Sequence, residues 1–405
     1  MSTPKLRFKE FDGDWSLKKI GQISDCIVPG RNKPKVFNGS IPWITTPDLK
    51  DKVYVSDTLS KCYISENEAK NVGSKIVPTN SVIMSCVGDL GLFAINTKPI
   101  VINQQLHAFL LEEKKHNALF ILNALSKNLS YIEKVATKTA LPYLNKDNCN
   151  SIPIYLTYLE EQTKIASFLS AVDQKISLLT QKHELLSQYK QGMMQKLFSQ
   201  QIRFKADDGS EFGEWKDKQV QEIADVKGGK RLPKGYSLVN ENTGHPYITV
   251  SDMNRSYGID IENIRYVPLD AFSAISRYTI TDKDIFISVA GTLGIIGKIP
   301  AYLNGANLTE NADKLTNLKC HQDFLIYLLD SGLLSGLIES TATTSAQPKL
   351  ALYAIEQMKI IIPCLEEQTK IANFLSAIDQ KIEVIAQQIE QSKTWKKGLL
   401  QQMFV

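Results

Sequence analysis

The sequence predicts an α+β protein: two tandem α+β domains and two long antiparallel coiled-coil helices, arranged as a pseudo-twofold cyclic repeat. Three observations lead to this class. A near-identical helical segment occurs twice, each copy has a heptad pattern, and each follows a block with strand-like patterning. The first copy, LEEQTKIASFLSAVDQKI, spans residues 159–176 and recurs at residues 365–382, where only Ser167 and Val172 are replaced. The separation from Leu159 to Leu365 is called the repeat offset. Internal repetition of this kind defines an architecture before any single element does.

Each repeated segment opens a long heptad stripe, the pattern of a coiled-coil helix. The stripe positions alternate in steps of four and three: Ile165, Leu169, Val172, Ile176, Leu179, His183, Leu186, Lys190, Met193 and Leu197, then Ile371, Leu375, Ile378, Ile382, Ile385, Ile389, Ser392, Lys396, Leu399 and Met403. Forty helical residues extend about 60 Å, and an apolar stripe of that length needs a partner. We expect each helix to pack on the other. Lys190 and Lys396 are interpreted as register residues at the stripe, with contact to nucleic acid as the less favoured alternative.

The two blocks before the helices share a loose skeleton of landmarks. Ile41–Thr45 followed by Asp48 matches Pro246–Thr249 followed by Asp252, and Val82–Ser85 matches Ile285–Ser288. Runs rich in β-branched and aromatic residues, interrupted by Gly and Asn, predict strands and hairpins. Residues 118–133 and 323–339 have a helical pattern. The predicted division is a first domain at 1–152, a central helix at 153–200, a second domain at 201–358 and a C-terminal helix at 359–405.

Composition narrows the protein classes. No apolar run reaches the roughly 18 residues that a membrane span requires, and the segment MSTPKLRFKEF lacks the apolar stretch of a signal peptide. The six cysteines are scattered without a CxxC pair, and the five histidines are equally dispersed. We therefore expect a cytoplasmic protein with reduced thiols and no metal site.

Charge differs between the blocks. Residues 1–158 have 20 basic and 14 acidic side chains, whereas residues 201–364 have 17 and 20. Each block nevertheless has one acid-free basic cluster at an equivalent place: Arg31, Lys33 and Lys35 in the first, and Lys227, Lys230, Arg231 and Lys234 in the second. Either cluster alone is as compatible with a solvated loop as with a binding site. Their matched positions favour a shared function in binding a polyanion.

The chain resembles the specificity (S) subunits of Type I restriction–modification systems over essentially its whole length. The resemblance rests on the twin EEQxKIAxFLSAxDQKI helices, the tandem blocks, Gly88-Asp89-Leu90-Gly91 with Gly291-Thr292-Leu293-Gly294, and Pro142-Tyr143-Leu144 with Pro348-Lys349-Leu350. It implies that each block is a target-recognition domain for one half of a split double-stranded DNA site and that the helices set the spacing. It further implies no catalytic centre in this chain. Partner methyltransferase (M) subunits would use S-adenosylmethionine, and partner restriction (R) subunits would use ATP and Mg²⁺.

Two other classes compete with this interpretation. A methyltransferase needs an Asn/Asp-Pro-Pro-aromatic tetrad, but the sequence contains no Pro-Pro pair, GxGxxG loop or GxxxxGK[ST] motif. A metal-dependent nuclease is the sharper rival, since Pro47-Asp48 comes before Glu68-Ala69-Lys70 at a compatible distance along the chain. The second block has Ala271 and Ser273 in place of Glu68 and Lys70, which argues against a paired cutter. A coiled-coil scaffold would explain the helices but not two large blocks with basic loops.

Phosphate contacts give affinity and base-edge contacts give discrimination, so two kinds of residue are sought. The basic clusters suit phosphates. Polar and aromatic residues at predicted loop ends are the candidates for bases: Asn32, Thr46, Asp48, Tyr143 and Asn145 in the first block, and Tyr236, Ser251, Asp252, Asn254, Arg255 and Gln347 in the second. Lys349 is a further candidate for DNA binding.

Overall fold

A computed structural model describes residues 3–30, 32–137, 140–341 and 349–405. The chain divides into two compact units, each formed by one block and by parts of both long helices. The first unit comprises residues 1–180 and 387–405, and the second comprises residues 181–386. In the described part of the chain, no helix is long and apolar enough to cross a membrane.

Block one is built from short strands with small helices between them. Its elements are β1 (Ser16–Lys19), β2 (Ser24–Ile27), β3 (Ile41–Ile44), α1 (Thr46–Leu49), β4 (Tyr54–Val55), β5 (Tyr63–Ile64), α2 (Glu66–Asn71), β6 (Val82–Ser85), β7 (Phe93–Asn96), β8 (Val101–Ile102), β9 (Leu106–Leu111), α3 (Ala118–Lys127), α4 (Leu129–Val135), α5 (Lys146–Asn150) and β10 (Pro153–Leu156). The strands form a five-stranded sheet in the order β2-β9-β6-β7-β4, a three-stranded sheet β5-β3-β8 and the pair β1-β10. The long helix α6 (Leu159–Phe198) follows.

Block two repeats this plan. Its elements are β11 (Lys216–Gln219), α7 (Val220–Ile223), β12 (Asp225–Gly228), β13 (Pro246–Ile248), β14 (Arg265–Tyr266), α8 (Leu269–Ile275), β15 (Thr279–Ile280), β16 (Ile285–Ser288), β17 (Ile296–Gly297), β18 (Ala306–Leu308), β19 (Ala312–Thr316), α9 (Gln322–Leu328), α10 (Leu334–Thr341), α11 (Leu352–Glu356) and β20 (Lys359–Ile362). The sheets are β12-β19-β16-β17, β14-β13-β18-β15 and β11-β20. The long helix α12 (Leu365–Met403) follows.

The helical segments predicted inside the blocks are present but interrupted. Residues 118–133 form α3 and α4, with a break at Asn128, whose side chain donates to the carbonyl oxygen of Ala124 at 2.9 Å. Residues 323–339 form α9 and α10, joined through a wider turn in which Gly332 has φ 125°. Such a positive φ favours glycine, so the interruption is encoded locally.

The helix prediction is confirmed at its stripe. Every predicted stripe position of α6 and α12 is buried or half-buried. In the first unit, Ile165 and Leu169 share a core cluster with Leu399 and Met403. In the second unit, Leu197 shares a cluster with Ile371 and Leu375. The first turns of each long helix therefore pack against the last turns of the other helix. This is the antiparallel pairing that the sequence predicts.

Both long helices begin later than the predicted boundaries at residues 153 and 359. Pro153 starts strand β10, and the four residues before Pro363 form β20, so the helices start at Leu159 and Leu365. Strand β10 pairs antiparallel with β1, and β20 pairs with β11. Each block is therefore closed by a two-stranded ribbon between its first strand and the strand that leads into the helix.

The first turn of each long helix has a buried glutamate with an arginine partner. The side chain of Glu161 is fully buried, and Arg7 Nε donates to its Oε1 at 2.7 Å. Glu367 is equally buried and accepts from Arg203 Nη2 at 2.7 Å and from the Trp215 indole at 3.2 Å. The hydrogen bond to Glu367 raises the pKa of Arg203. The matched RFK segments at 7–9 and 203–205 thus fasten the start of each block to its own following helix.

Candidate nucleic-acid interface

In block one, several loops meet on one face, defined by residues 28–30, 32–35, 45–50, 86–91, 103–105 and 140–145 and called the loop face of block one. Gln104 Nε2 donates to the carbonyl oxygens of Gly30 and Asn32 at 3.0 and 3.1 Å. Gln105 accepts from the Cys86 amide through its carbonyl oxygen at 2.7 Å, and the Cys86 carbonyl accepts from the Leu144 amide at 2.9 Å. These bonds join loops that are far apart in the sequence.

The basic loop of block one has exposed lysine side chains, and its backbone is fixed by hydrogen bonds to Glu68. Lys33 and Lys35 are both exposed, and the Lys33 ammonium lies 5.4 Å from the centroid of the Trp43 ring. Glu68 Oε1 accepts from the backbone amides of Lys35 and Val36 at 2.7 and 3.2 Å. Asn32 is also exposed. The loop therefore presents cations on a fixed backbone, as a phosphate-binding surface requires. Arg31 lies outside the described residues.

Three of the base-contact candidates are buried. Asp48 is fully buried, and its carboxylate accepts from the Thr45 amide and hydroxyl, both at 2.7 Å, and from the Leu59 amide at 2.6 Å. Thr46 is 8% exposed and donates to Gln105 Oε1 at 3.1 Å. Asp252 repeats the arrangement, capping Thr249 at 2.7 Å. The side chains of Asp48, Thr46 and Asp252 thus satisfy backbone donors or a neighbouring loop, which weakens the case for them, and their role as base contacts stays a prediction.

The two acidic residues of the nuclease-like motif, Asp48 and Glu68, are both bonded to backbone amides. Asp48 accepts from the amides of Thr45 and Leu59, and Glu68 accepts from the amides of Lys35 and Val36 in the basic loop, so both carboxylates are engaged by backbone donors. In the described residues, the group of side chains with metal-ligand geometry is a different one, Cys86, His107 and Cys149. The expectation that these residue types stay dispersed does not hold for this trio, which is discussed below.

Tyr143 and Asn145 lie on the loop that joins α4 to α5. Tyr143 is 42% exposed and forms an isolated β-bridge with Val87, next to the hairpin turn at Gly88. Asn145 is exposed, but its side chain accepts from the Asn148 amide at 2.7 Å as the N-cap of α5. Tyr143 is therefore the freer of the two for a base contact, while Asn145 shapes the loop.

In block two, a groove of about 360 Å³ brings three candidates together. Arg231, Lys234 and Tyr236 line it with Tyr247 and Glu310. Arg231 Nε donates to Glu310 Oε1 at 2.5 Å, and this hydrogen bond raises the pKa of Arg231. Burial raises the pKa of Tyr247 to about 12, and its hydroxyl donates to the Lys230 carbonyl at 2.9 Å. The groove offers donors and acceptors side by side, which suits base edges as well as phosphates.

The remaining cations of the second cluster differ in their surroundings. Lys230 is exposed, with its ammonium 5.5 Å from the Tyr278 ring, and its amide donates to the Leu308 carbonyl at 2.9 Å. Lys227 is exposed on strand β12, 3.7 Å from Asp225. Lys349 is exposed beside Leu350, whose amide donates to the Val289 carbonyl at 2.9 Å. The loop face of block two is defined by residues 229–236, 249–252, 289–294, 309–311 and 349–350.

Ser251, Asn254 and Arg255 lie at and beyond the edge of this face. Ser251 is exposed, and its hydroxyl is 2.8 Å from that of Thr249. Asn254 closes its own turn, because its Oδ1 accepts from the amides of Ser256 and Gly258. Arg255 is exposed on that turn, and the nearby Tyr257 contacts helix α6 through Lys190. The turn is thus directed towards the helix. Gln347 lies outside the described residues.

Sequence reasoning missed Glu310 and its block-one counterpart Gln104. Gln104 follows β8, which pairs in parallel with β3. Glu310 follows β18, which pairs in parallel with β13. Gln104 and Glu310 each hold the basic loop of their own block. The signal was present in part, since Asn103-Gln104-Gln105 and Thr309-Glu310-Asn311 are again separated by the repeat offset. Their role depends on strand pairing that local patterns do not show.

Lys190 belongs to the helix pairing. Its ammonium is 2.6 Å from Asp379 Oδ1 and 3.1 Å from the Tyr257 hydroxyl, and its side chain is 12% exposed. It also lies over the rings of Tyr257 and Tyr327. In the other unit, Lys396 pairs with Asp173 at 2.6 Å. The two pairs are related by the repeat offset, so register control accounts for both lysines.

Comparison with known proteins agrees with this geometry. The profile of the Type I restriction modification DNA specificity domain matches residues 12–188 and again residues 213–393. The MjaVIII specificity subunit of Methanocaldococcus jannaschii is 26% identical over 97% of this chain and 94% of its own length. The EcoprrI specificity subunit of Escherichia coli is 22% identical over 90% of this chain and 86% of its own. A Type I S subunit structure from M. genitalium superimposes with TM-score 0.61 at 18% identity, covering 100% of this chain and 99% of that one.

Two α+β recognition domains, each followed by a long helix, define a class of DNA-recognition subunit without a catalytic centre. The chain belongs to the Type I restriction modification DNA specificity family and is the DNA specificity subunit of a Type I restriction–modification system. The resemblance noted in the sequence is thereby confirmed.

Proposed function

We propose that each block recognises one half of a bipartite double-stranded DNA target and that α6 and α12 set the distance between the halves. The observation behind this proposal is the repetition of one loop face in both blocks with different side chains on it. The connecting bonds are the same in both blocks, as in Cys86 to Leu144 and Val289 to Leu350 at 2.9 Å each. The residues between them differ: Gln104 holds its loop by amide donation, whereas Glu310 does so by an ion pair.

The candidate contacts divide by chemistry. Lys33 and Lys35 in block one, and Lys227, Lys230 and Lys234 in block two, are proposed to bind phosphates. Contact with bases is proposed for Tyr143, Tyr236, Arg231 and Glu310. For the last two the chemistry is direct, because an arginine pairs with guanine and a carboxylate accepts from cytosine. Asn32, Ser251 and Lys349 are exposed on or at the edge of the loop faces, and Arg255 is exposed on the turn beyond that edge; all four are proposed to complete the surface.

Methyltransferase subunits are the proposed protein partners of the helices. Among the exposed large apolar side chains of the helices, four form two pairs related by the repeat offset: Leu178 with Val384 at 65% and 52% exposure, and Tyr189 with Trp395 at 51% and 49%. Paired apolar surfaces suit two copies of one partner. The M subunits would bring S-adenosylmethionine, and R subunits would bring ATP and Mg²⁺ to the assembled complex. We place this complex in the cytoplasm, where its DNA is.

Replacing Leu178 and Val384 with serine is expected to weaken capture of the cognate M subunit at least tenfold, because both side chains are exposed and neither supports the core. Native mass spectrometry of the mixed subunits measures this. Leu269→Ser is the matched control, since Leu269 is 69% exposed on α8 of block two. Equal capture by all variants would remove the helix surface from the proposed interface.

Inserting four residues near the middle of α6 is expected to change the gap between the half-sites by about two base pairs, while both half-sequences stay the same. Four helical residues add about 6 Å, and successive base pairs are about 3.4 Å apart. Mapping of methylated adenines in DNA treated with the assembled complex measures the gap. A four-residue insertion after Asp208, at an exposed turn, is the control. An unchanged gap in the helix variant would show that the helices do not set the spacing.

A further inference from the structure

Three metal-ligand side chains meet in the core of block one. Cys86 Sγ lies 3.6 Å from Cys149 Sγ, and His107 Nδ1 lies 3.1 Å from Cys149 Sγ. Their ligand atoms are all within 4.8 Å of one another. Cys86 and Cys149 are fully buried, and His107 is 4% exposed. This is a closed, protein-lined cluster beneath the exposed side chains of the loop face.

The cluster comes from three separate elements. Cys86 follows strand β6, His107 is on β9, and Cys149 is on α5. His107 pairs with Met84 across the sheet, and Cys26 pairs with Phe109 two positions further along β9. Cys26 is therefore on the same sheet face as His107, as a further thiol beside the trio. Because the three ligands are spaced too widely for any zinc motif, sequence patterns alone did not show this site.

The repeat shows that the fold does not need these groups. In block two the equivalent positions are Val226, Val289, Asp313 and Ile355, fixed by the same strand pairing and by the same amide bond ahead of the short helix. Block one has Cys26, Cys86, His107 and Cys149 there. One copy of the unit thus closes this part of its core with three aliphatic side chains and an acid. The other copy has three thiols and an imidazole, and Cys86, His107 and Cys149 among them have metal-ligand geometry for an ion such as zinc.

The distances are close to those around a tetrahedral ion. Zinc lies about 2.3 Å from sulfur and about 2.0–2.1 Å from nitrogen, so tetrahedral ligands are about 3.8 Å apart for two sulfurs and about 3.6 Å for sulfur and nitrogen. The observed sulfur–sulfur distance of 3.6 Å agrees, and the nitrogen–sulfur distance of 3.1 Å would lengthen slightly. Two thiolates would neutralise the divalent charge, which removes the main cost of burying it.

We propose that Cys86, His107 and Cys149 of block one bind one thiophilic divalent cation of the zinc type, and that block two binds none. The ion would join α5 to the β2-β9-β6 sheet. The Cys86 carbonyl accepts from the Leu144 amide, and Val87 bridges Tyr143, so the ion would lie directly under the loop that includes Tyr143. Binding would therefore order that loop before any DNA is present.

The test uses the full chain, reduced, stripped with a chelator and then titrated with Zn²⁺ or Co²⁺. We expect one equivalent per chain after gel filtration, and a Co²⁺ spectrum with the thiolate charge-transfer band of sulfur ligation. The variant Cys86→Val/Cys149→Ile copies block two and should lose at least tenfold in affinity together with that band. His107→Asp, which also copies block two, serves if the double variant does not fold. Cys62→Ser is the matched control and should retain the full equivalent.

Hydrogen exchange provides the second readout. Zn²⁺ is expected to slow amide exchange in residues 140–150 of the wild type and not in the double variant. Metal bound equally by the wild type and the double variant, or no metal retained by the reduced wild type, would overturn the proposal. A Cys86–Cys149 disulfide in a reduced-and-reoxidised chain that binds no metal would overturn it as well. These measurements use no DNA, so their outcome is independent of the proposed recognition function.

Discussion

Replacing Arg203 with methionine is expected to lower the free energy of unfolding of block two by about 3–5 kcal/mol. The Glu367 carboxylate is fully buried and receives two hydrogen bonds from the Arg203 guanidinium, at 2.7 and 3.1 Å. The substitution would leave a buried charge facing the Trp215 indole, a neutral donor at 3.2 Å. Removal of one partner of a buried pair costs far more than the intact pair contributes, because the orphaned charge stays desolvated.

Calorimetry of the full chain measures the change, and hydrogen exchange in residues 203–215 and 365–375 localises it. Lys205→Met is the matched control, because Lys205 and Glu211 form an exposed pair whose removal costs little. Adding Glu367→Gln to Arg203→Met should recover part of the stability by removing the charge itself. If Arg203→Met were no worse than Lys205→Met, the buried pair would not be what fastens block two to α12.

Replacing Lys227, Lys230, Arg231 and Lys234 with alanine is expected to weaken DNA binding by on the order of 100- to 1000-fold at physiological salt. The block has 17 basic and 20 acidic residues, so no diffuse positive field can substitute for this loop. Loss of the three lysines, proposed to bind phosphates, should weaken matched and mismatched DNA alike, and loss of Arg231 should add a further loss on matched DNA. The slope of log affinity against log salt should flatten by up to about 0.9 for each phosphate that is no longer neutralised.

The structure adds a distinction within this set. Arg231 is paired with Glu310, so Arg231→Ala would also release a carboxylate into the groove. That single change should therefore affect matched DNA more strongly than Lys230→Ala does. Removing Lys33 and Lys35 should weaken binding less, because residues 1–158 keep a basic surplus.

Salt titration of the assembled complex on both DNAs measures these effects. Lys216→Ala/Lys359→Ala is the control, since both lysines are exposed on the β11-β20 ribbon. Weakening confined to matched DNA would reassign the loop to base contacts. Unchanged binding would show that the loop is solvated and does not contact DNA.

The helices could be predicted from the sequence because their signal is local. A heptad stripe predicts which side of a helix is buried. In α6 and α12 every stripe position is buried or half-buried. The Thr-x-x-Asp spacing at Thr45–Asp48 and Thr249–Asp252 is also a readable capping signal. That spacing marks Asp48 and Asp252 as capping residues, and it weakens the case for both as base contacts.

The loop faces and the thiol cluster could not be predicted in the same way. Arg231 meets Glu310 across 79 residues, and Cys86 meets Cys149 across 63. These contacts depend on strand order and register, and such short strands do not specify their partners by pattern alone. The exposed side chains that differ between the blocks have no local rule that translates them into bases. The sequence therefore indicates where these side chains lie on the chain but not which bases they contact.

Exchange of residues 1–152 for the corresponding block of another specificity subunit tests the central claim most directly. The exchanged chain, assembled with its M subunit, is used to methylate genomic DNA, and the methylated adenines are mapped. If each block recognises one half of the target, the new target should differ in one half only, with the other half and the gap unchanged. A change in both halves, or a continuous undivided target, would contradict the account.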